Sequence, residues 1–207
     1  MQRIGVFGGT YDPVHNGHLH TAMALVERLD LARLHMVPCF QPVHRDSPST
    51  PTEHRWAMLQ QACSAHPALH ADNRELRRGG PSYSIDTMQS LRDEYPDAAL
   101  FMVMGADAFR HFGSWHRADD FLQLVNIVVV HRGGEPAPDV AASAWGSAYQ
   151  PLLGEIVCSR GALTSVQCPL WTTSSTAIRQ TLAEGGDIGS DVPAAVAQYI
   201  ELHQLYR

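Results

Sequence analysis

Arg3-Ile4-Gly5-Val6-Phe7-Gly8-Gly9-Thr10-Tyr11-Asp12-Pro13-Val14-His15-Asn16-Gly17-His18 begins as a β-rich run, Arg3 to Phe7, that stops at two glycines. Beyond it, Leu19, Ala22, Met23, Val26 and Leu29 recur at the 3–4 spacing of one helical face. Leu34 to Pro38 then reads as a second strand. Strand, loop, helix and strand within about forty residues is the grammar of a parallel sheet with right-handed crossovers.

The rest of the chain repeats that grammar. Thr50 as N-cap, Pro51 as first helical residue and Glu53 as the far half of a capping box predict a helix start. Its apolar face carries Trp56, Leu59, Ala62 and Cys63. Leu69 to Ala71 reads as a short strand, and Asn73 to Pro81 as a charged, glycine-rich loop. Ile85, Met88, Leu91 and Tyr95 mark a third helix, stopped by Pro96. Ala99 to Met104 is apolar throughout, as buried parallel strands are, and Asn126 to Val130, with the run Ile127-Val128-Val129-Val130, reads as another strand. Gly133 to Gly154 reads as a mobile insertion, followed by weak strand signals at Glu155 to Val157 and Leu163 to Gln167. Two helices follow, one from Ser174-Ser175-Thr176 to Gly185-Gly186 and one starting near Pro193. The expectation is a single α/β domain over residues 1–207: an open parallel sheet with helices on both faces and a helical C-terminal part at about 172–207.

Composition bounds the function. The 207 residues are 44% hydrophobic and 17% charged, with a net charge of −6. Such a chain is not intrinsically disordered, and its acidic balance argues against a nucleic-acid coat or a polybasic membrane anchor. Cys39, Cys63, Cys158 and Cys168 form no Cys-x-x-Cys pair, so reduced thiols fit better than a disulfide framework or a structural zinc. The start of the chain lacks a signal-peptide h-region, and no uninterrupted apolar run reaches membrane-spanning length. Cytoplasmic location is expected. Twelve histidines against fifteen Lys plus Arg is the unusual count.

Gly8 to His18 sits between strand and helix, at the carboxyl end of a strand, where open sheets bind ligands. Glycines there let backbone N–H groups approach a phosphate. His15 and His18, at a helix start, can donate to phosphate oxygens as charge develops. The spacing matches neither Gly-x-Gly-x-x-Gly nor a P-loop. A metal held by His15, His18 and His20 is a rival, although His18 and His20 point to different helix faces. A second anion site is read at Thr172 to Arg179, where Ser174 or Thr173 caps a helix and Arg179 lies one turn in.

These two motifs together resemble the nucleotidyltransferase superfamily with the His-x-Gly-His signature, and more narrowly the bacterial nicotinate-nucleotide adenylyltransferases. Val37-Pro38 through His44-Arg45, the segment Glu75 to Thr87, and Gly105-Ala106-Asp107 with Trp115 and His131-Arg132 support the narrower reading. The chain departs from the family pattern at Val43, Ser84 and Tyr11, none of which removes a needed chemical group. The resemblance implies a Rossmann-like fold and adenylyl transfer from ATP to nicotinate mononucleotide, with magnesium held mainly by phosphates and water.

It further implies that His15, His18, Arg45 and Arg179 are catalytic. Gly8, Gly9, Thr10, Asp107, Ser174, Ser175 and Thr176 would join His15, His18 and Arg179 in binding ATP. Asp12, His44, Ser82, Tyr83, Ser84, Trp115 and Arg132 would bind nicotinate mononucleotide. No nucleic-acid or membrane partner is expected, and monomer and homo-oligomer remain open. Three other readings stay in view: another adenylyl- or cytidylyltransferase of the superfamily, a non-catalytic nucleotide-binding protein, and a histidine-rich metal binder.

Overall fold

The computed structural model describes residues 1–43, 48–133, 138–150, 158–169 and 171–207. Among the described residues six strands are found: β1 (Arg3–Gly9), β2 (Arg33–Pro38), β3 (Leu69–Ala71), β4 (Ala99–Gly105), β5 (Asn126–Arg132) and β6 (Leu163–Cys168). All neighbouring pairs are parallel, in the order β3-β2-β1-β4-β5-β6. The order reverses between β1 and β4, and an open sheet binds ligands at such a switch point. The architecture is therefore the expected Rossmann-like α/β sheet.

The helices are α1 (Asn16–Arg28), α2 (Thr52–Ser64), α3 (Arg74–Arg78), α4 (Ser84–Glu94), α5 (Ala106–Arg110), α6 (Phe121–Leu124), α7 (Ser175–Ala183) and α8 (Ala194–Leu202). The sheet is covered on both faces. One face buries Leu19 and Leu25 of α1, Met58 and Leu59 of α2, Ile178 of α7 and Ile200 of α8. The other buries Ile85, Met88 and Leu91 of α4 with Phe109, Phe112 and Phe121. Gly5 of β1 leaves room for the side chain of Leu34 on the neighbouring strand. A Cβ there would lie 2.4 Å from the Leu34 side chain.

Three local expectations need correction. Helix α2 begins one residue later than the capping-box reading, with Pro51 as N-cap and no side-chain cap bond. Thr50 is buried, its side chain turned to Asp12 and Tyr206 and its carbonyl accepting from Arg55 Nε at 3.3 Å. The loop expected at Asn73 to Pro81 contains α3, because its charges are paired inside the protein. The Arg74 guanidinium donates to Asp72 at 2.7 Å and to Glu94 at 2.9 Å, while Thr87 Oγ1 donates to Glu75 at 2.6 Å. Within the insertion read as mobile, residues 138–150 are docked. Val140 is buried, and the Trp145 ring packs 4.7 Å from that of Phe112. The strand expected at Glu155 to Val157 lies outside the described residues. The four cysteines are free thiols, and among the described residues no helix is long and apolar enough to cross a membrane.

Candidate active site

The loop after β1 turns back on itself. Tyr11 is in left-handed backbone (φ 50°), and its buried ring donates from the hydroxyl to Phe7 O at 2.7 Å. That fold needs Gly9, since a Cβ there would sit 3.1 Å from the Tyr11 ring. Gly8 is different: a Cβ would meet nothing within 4 Å, so this glycine faces open space beside the strand end. Thr10 offers its carbonyl to the buried Arg55, 2.8 Å away.

His15 is the N-cap of α1. Its Nδ1 accepts from His18 N–H, and His18 Nδ1 accepts from His15 N–H, both at 3.3 Å. The rings stack with centroids 3.7 Å apart. This reciprocal cap is built from two imidazoles in place of the usual hydroxyl and carboxylate. It also selects a tautomer. A nitrogen that accepts carries no hydrogen, so the neutral rings carry theirs on Nε2. Both histidines thereby become Nε2 donors held on one helix start.

Gly17 makes the stack possible. A Cβ at this position would lie 3.0 Å from His15 Nδ1 and 3.1 Å from its Cε1. Alanine favours helix over glycine, yet Gly17→Ala is expected to lower kcat about tenfold by displacing the His15 ring. Steady-state kinetics on the purified variant checks this; wild-type kcat would show that ring placement tolerates the methyl.

Helix α7 brings the second motif to the same loop. Ser174 is its N-cap, accepting from Ala177 N–H at 3.1 Å. Ser175 Oγ donates to Pro13 O at 3.0 Å, and Arg179 Nη1 donates to Asp12 O at 2.7 Å. Arg179 Nη2 lies 3.4 Å from Thr176 Oγ1. Two segments some 160 residues apart in sequence (|i−j| 162 and 167) thus meet at the dipeptide Asp12–Pro13.

A small cleft lies at the start of α4. Val43, Ser82, Tyr83, Ser84, Trp115, His116 and Phe121 line it. Ser82, Tyr83, Ser84 and Trp115 are therefore brought together. Ser82 Oγ accepts from Phe40 N–H at 2.8 Å, tying the segment to the chain beyond β2. Ser84 opens an 11-residue helix whose first N–H groups face an anion favourably. Trp115 packs against Phe112 with centroids 5.5 Å apart. His116, missed in the sequence, stacks at a tilt on Tyr83, 4.5 Å between centroids.

Other expected residues fall elsewhere. Asp107 is exposed just past the end of β4 and pairs with Arg110. Arg132 ends β5, and His44 and Arg45 lie outside the described residues. Asp12 is not in the Trp115 cleft. Only 3% exposed, it accepts from Ser49 N–H (2.8 Å) and Ser49 Oγ (2.9 Å) at Oδ2, and from the Tyr206 hydroxyl (2.7 Å) at Oδ1. Burial pushes its carboxyl up, but these hydrogen bonds outweigh it and hold the group below its ordinary value. The Asp12 carboxylate, expected to face the mononucleotide, is thus engaged by groups of the protein itself. Among the described residues no cluster of His, Cys, Asp or Glu is arranged to hold a metal ion.

Arg55, Ser49 and Tyr206 are the site-supporting residues that sequence reading did not single out. Each acts through a contact between distant segments, and no local pattern announces such a contact.

Comparison with known proteins agrees with this arrangement. The model of the cytidylyltransferase-like family matches residues 6–181. A relative from Hydrogenovibrio crunogenus, named "probable nicotinate-nucleotide adenylyltransferase", is 39% identical over 99% of this chain and 97% of its own. One from Pseudomonas putida with the same name is 41% identical over 100% and 96%. The structure of Plasmodium falciparum nicotinic acid mononucleotide adenylyltransferase complexed with NaAD covers 100% of this chain and 98% of its own. Its TM-score is 0.74, and its 14% identity makes it a likeness of fold alone. With the signature loop, the capped α7 and near-complete coverage in agreement, the chain belongs to the cytidylyltransferase-like family and, within it, to the nicotinate-nucleotide adenylyltransferases.

Proposed function

We propose that the chain works as that group's name states. It transfers the adenylyl group of ATP to nicotinate mononucleotide, giving nicotinate adenine dinucleotide (deamido-NAD) and pyrophosphate in NAD biosynthesis. An oxygen of the mononucleotide phosphate bonds to the α-phosphorus of ATP, and the bond from that phosphorus to the β-phosphate oxygen breaks. The electron pair leaves with pyrophosphate. The nucleophile is already an anion, so positioning and charge neutralisation carry the reaction.

The observation that carries this reading is the meeting of two donor sets at Asp12–Pro13. The His15–His18 pair follows it in the chain, and α7 is tied to it through Ser175 and Arg179. His18 is assigned to the α-phosphate and His15 to its neighbour. Ser174, Ser175, Thr176 and Arg179 are assigned to the β- and γ-phosphates through the α7 N–H groups, a hydroxyl and the guanidinium. Gly8, Gly9 and Thr10 border the phosphate path with backbone groups, and exposed Asp107 suits the adenosine ribose. His44, Arg45 and Arg132 are kept as phosphate ligands on sequence grounds. These donors suit phosphate oxygens better than a divalent cation, so magnesium is assigned to the phosphates and water. When bound there it neutralises developing charge. The reaction is assigned to the cytoplasm, a reducing compartment that suits four free thiols.

The nicotinate ring is assigned to the Trp115 cleft, with its carboxylate at the first turn of α4. Incubation with ATP, magnesium and each of the acid and amide mononucleotides tests the whole. Pyrophosphate release with the acid is expected, with the amide slower because it presents donors to donors. No release with either substrate would overturn the assignment, and CTP replacing ATP would favour a cytidylyltransferase. Trp115→Ala is expected to raise the mononucleotide KM about threefold to tenfold, from the lost stacking, with the ATP KM unchanged. An unaltered mononucleotide KM would remove the ring from this cleft.

A further inference from the structure

The chain after α8 does not trail away. Leu205 N–H donates to Ile200 O at 3.1 Å, and Gln204 (φ 51°) and Tyr206 (φ 66°) both stand in left-handed backbone. Two such non-glycine residues within three positions persist only where the surroundings over-determine them. Here the result is the placement of one hydroxyl. Tyr206 OH lies 2.7 Å from Asp12 Oδ1.

Asp12–Pro13 consequently receives donors from three remote segments. Tyr206 and Ser49 hold the Asp12 carboxylate. Arg179 holds the Asp12 carbonyl, and Ser175 holds that of Pro13. His15 follows two residues later and fixes the imidazole pair. A shift of this dipeptide therefore moves the histidine donors relative to α7. Ser49 also stands four residues after Arg45.

We propose that Tyr206 is a positioning residue for adenylyl transfer: through Asp12 it locks the signature loop to the Ser49 segment and keeps His15 and His18 in register with Arg179. Burial pushes the Tyr206 hydroxyl well above its ordinary range, so it remains a donor to the carboxylate. Among the described residues, those lining the cleft of Ser82, Ser84 and Trp115 include none of Tyr206, Asp12, Ser49, His15, His18 and Arg179. The effect of losing the Tyr206 hydroxyl is thus separable from mononucleotide binding. The proposal rests on the functional reading given above.

Tyr206→Phe removes one hydroxyl and keeps the ring. Its kcat is expected to fall about tenfold, the scale of one hydrogen bond to a charged acceptor felt in the transition state, with the mononucleotide KM unchanged. Leu205→Ala is the control. It alters the same turn without a bond to Asp12, and its kcat is expected to stay near wild type. Amide exchange supplies a readout independent of turnover: Ser49 N–H should exchange faster in Tyr206→Phe and not in Leu205→Ala. Wild-type kcat in Tyr206→Phe would overturn the proposal, as would equal losses in both variants with a matching fall in thermal midpoint. A wild-type chain that releases no pyrophosphate sinks the functional reading, and the coupling of Tyr206 to Ser49 then stands or falls on the exchange data.

Discussion

His18→Ala is expected to lower turnover by about 100-fold to 1,000-fold, the range for losing one preorganised donor to a developing oxyanion. The ring has two roles, and they can be separated. Its Nδ1 accepts from His15 N–H at 3.3 Å, and its face stacks on His15 with centroids 3.7 Å apart. Losing that cap costs about 1 kcal/mol, or about 2–4 °C in thermal midpoint for a chain of this size. The other nitrogen, Nε2, is the donor assigned to the α-phosphate. Asparagine places a carbonyl oxygen close to where Nδ1 lies and offers no equivalent of Nε2. His18→Asn should therefore keep the cap and its stability while losing turnover as severely as alanine does. Thermal unfolding and single-turnover kinetics on both variants decide it. Turnover within about threefold of wild type in His18→Asn would confine His18 to capping.

The parts of this site that were legible share one property: each is encoded within a few neighbouring residues. Strand β1, the glycine pair and a helix face with Leu19, Ala22 and Leu29 follow from local periodicity, although that spacing included the exposed Met23 and passed over the buried Leu25. Ser174 was readable as a cap because a cap is a three-residue device. The burial of Asp12 was not legible, for the opposite reason. Its partners are Ser49 and Tyr206, the latter 194 residues away, and a carboxylate in a loop looks the same whether it meets a ligand or a tyrosine. Arg55 was invisible on the same grounds. A charged side chain 1% exposed is improbable until three partners are known, here Thr10, Thr50 and Thr52.

The histidine count resolves similarly. His35 pairs with Asp72 at 2.7 Å, His54 with the Tyr199 hydroxyl at 3.0 Å, and His20 stacks flat on Trp171 at 3.8 Å. These are packing and hydrogen-bonding roles, which separates them from His15 and His18. What distinguishes the pair is that each ring engages the other's backbone N–H through Nδ1 and directs its second nitrogen elsewhere.

Arg179→Ala should lower kcat/KM for ATP by about 100-fold or more, as expected when two charge-assisted hydrogen bonds are lost together. The geometry gives the reason for a guanidinium at this position. Nη1 is committed to Asp12 O at 2.7 Å, which fixes the side chain against the signature loop. The remaining donors of the fork are then held at the first turn of α7, where capped N–H groups already favour an anion. Lysine carries the same charge on a flexible stem without a rigid fork. It can meet the loop or the phosphates, and to do both it must give up geometry at each. Arg179→Lys should accordingly recover no more than about tenfold of the alanine loss. The mononucleotide KM should stay at its wild-type value in both variants, because the Trp115 cleft shares no residue with α7. Initial rates at varied ATP and fixed saturating mononucleotide measure this. Full recovery by lysine would mean that charge alone is needed here. An unchanged ATP KM and kcat in Arg179→Ala would reduce Arg179 to a tie between α7 and the loop, leaving the β- and γ-phosphates to the backbone N–H groups of that helix.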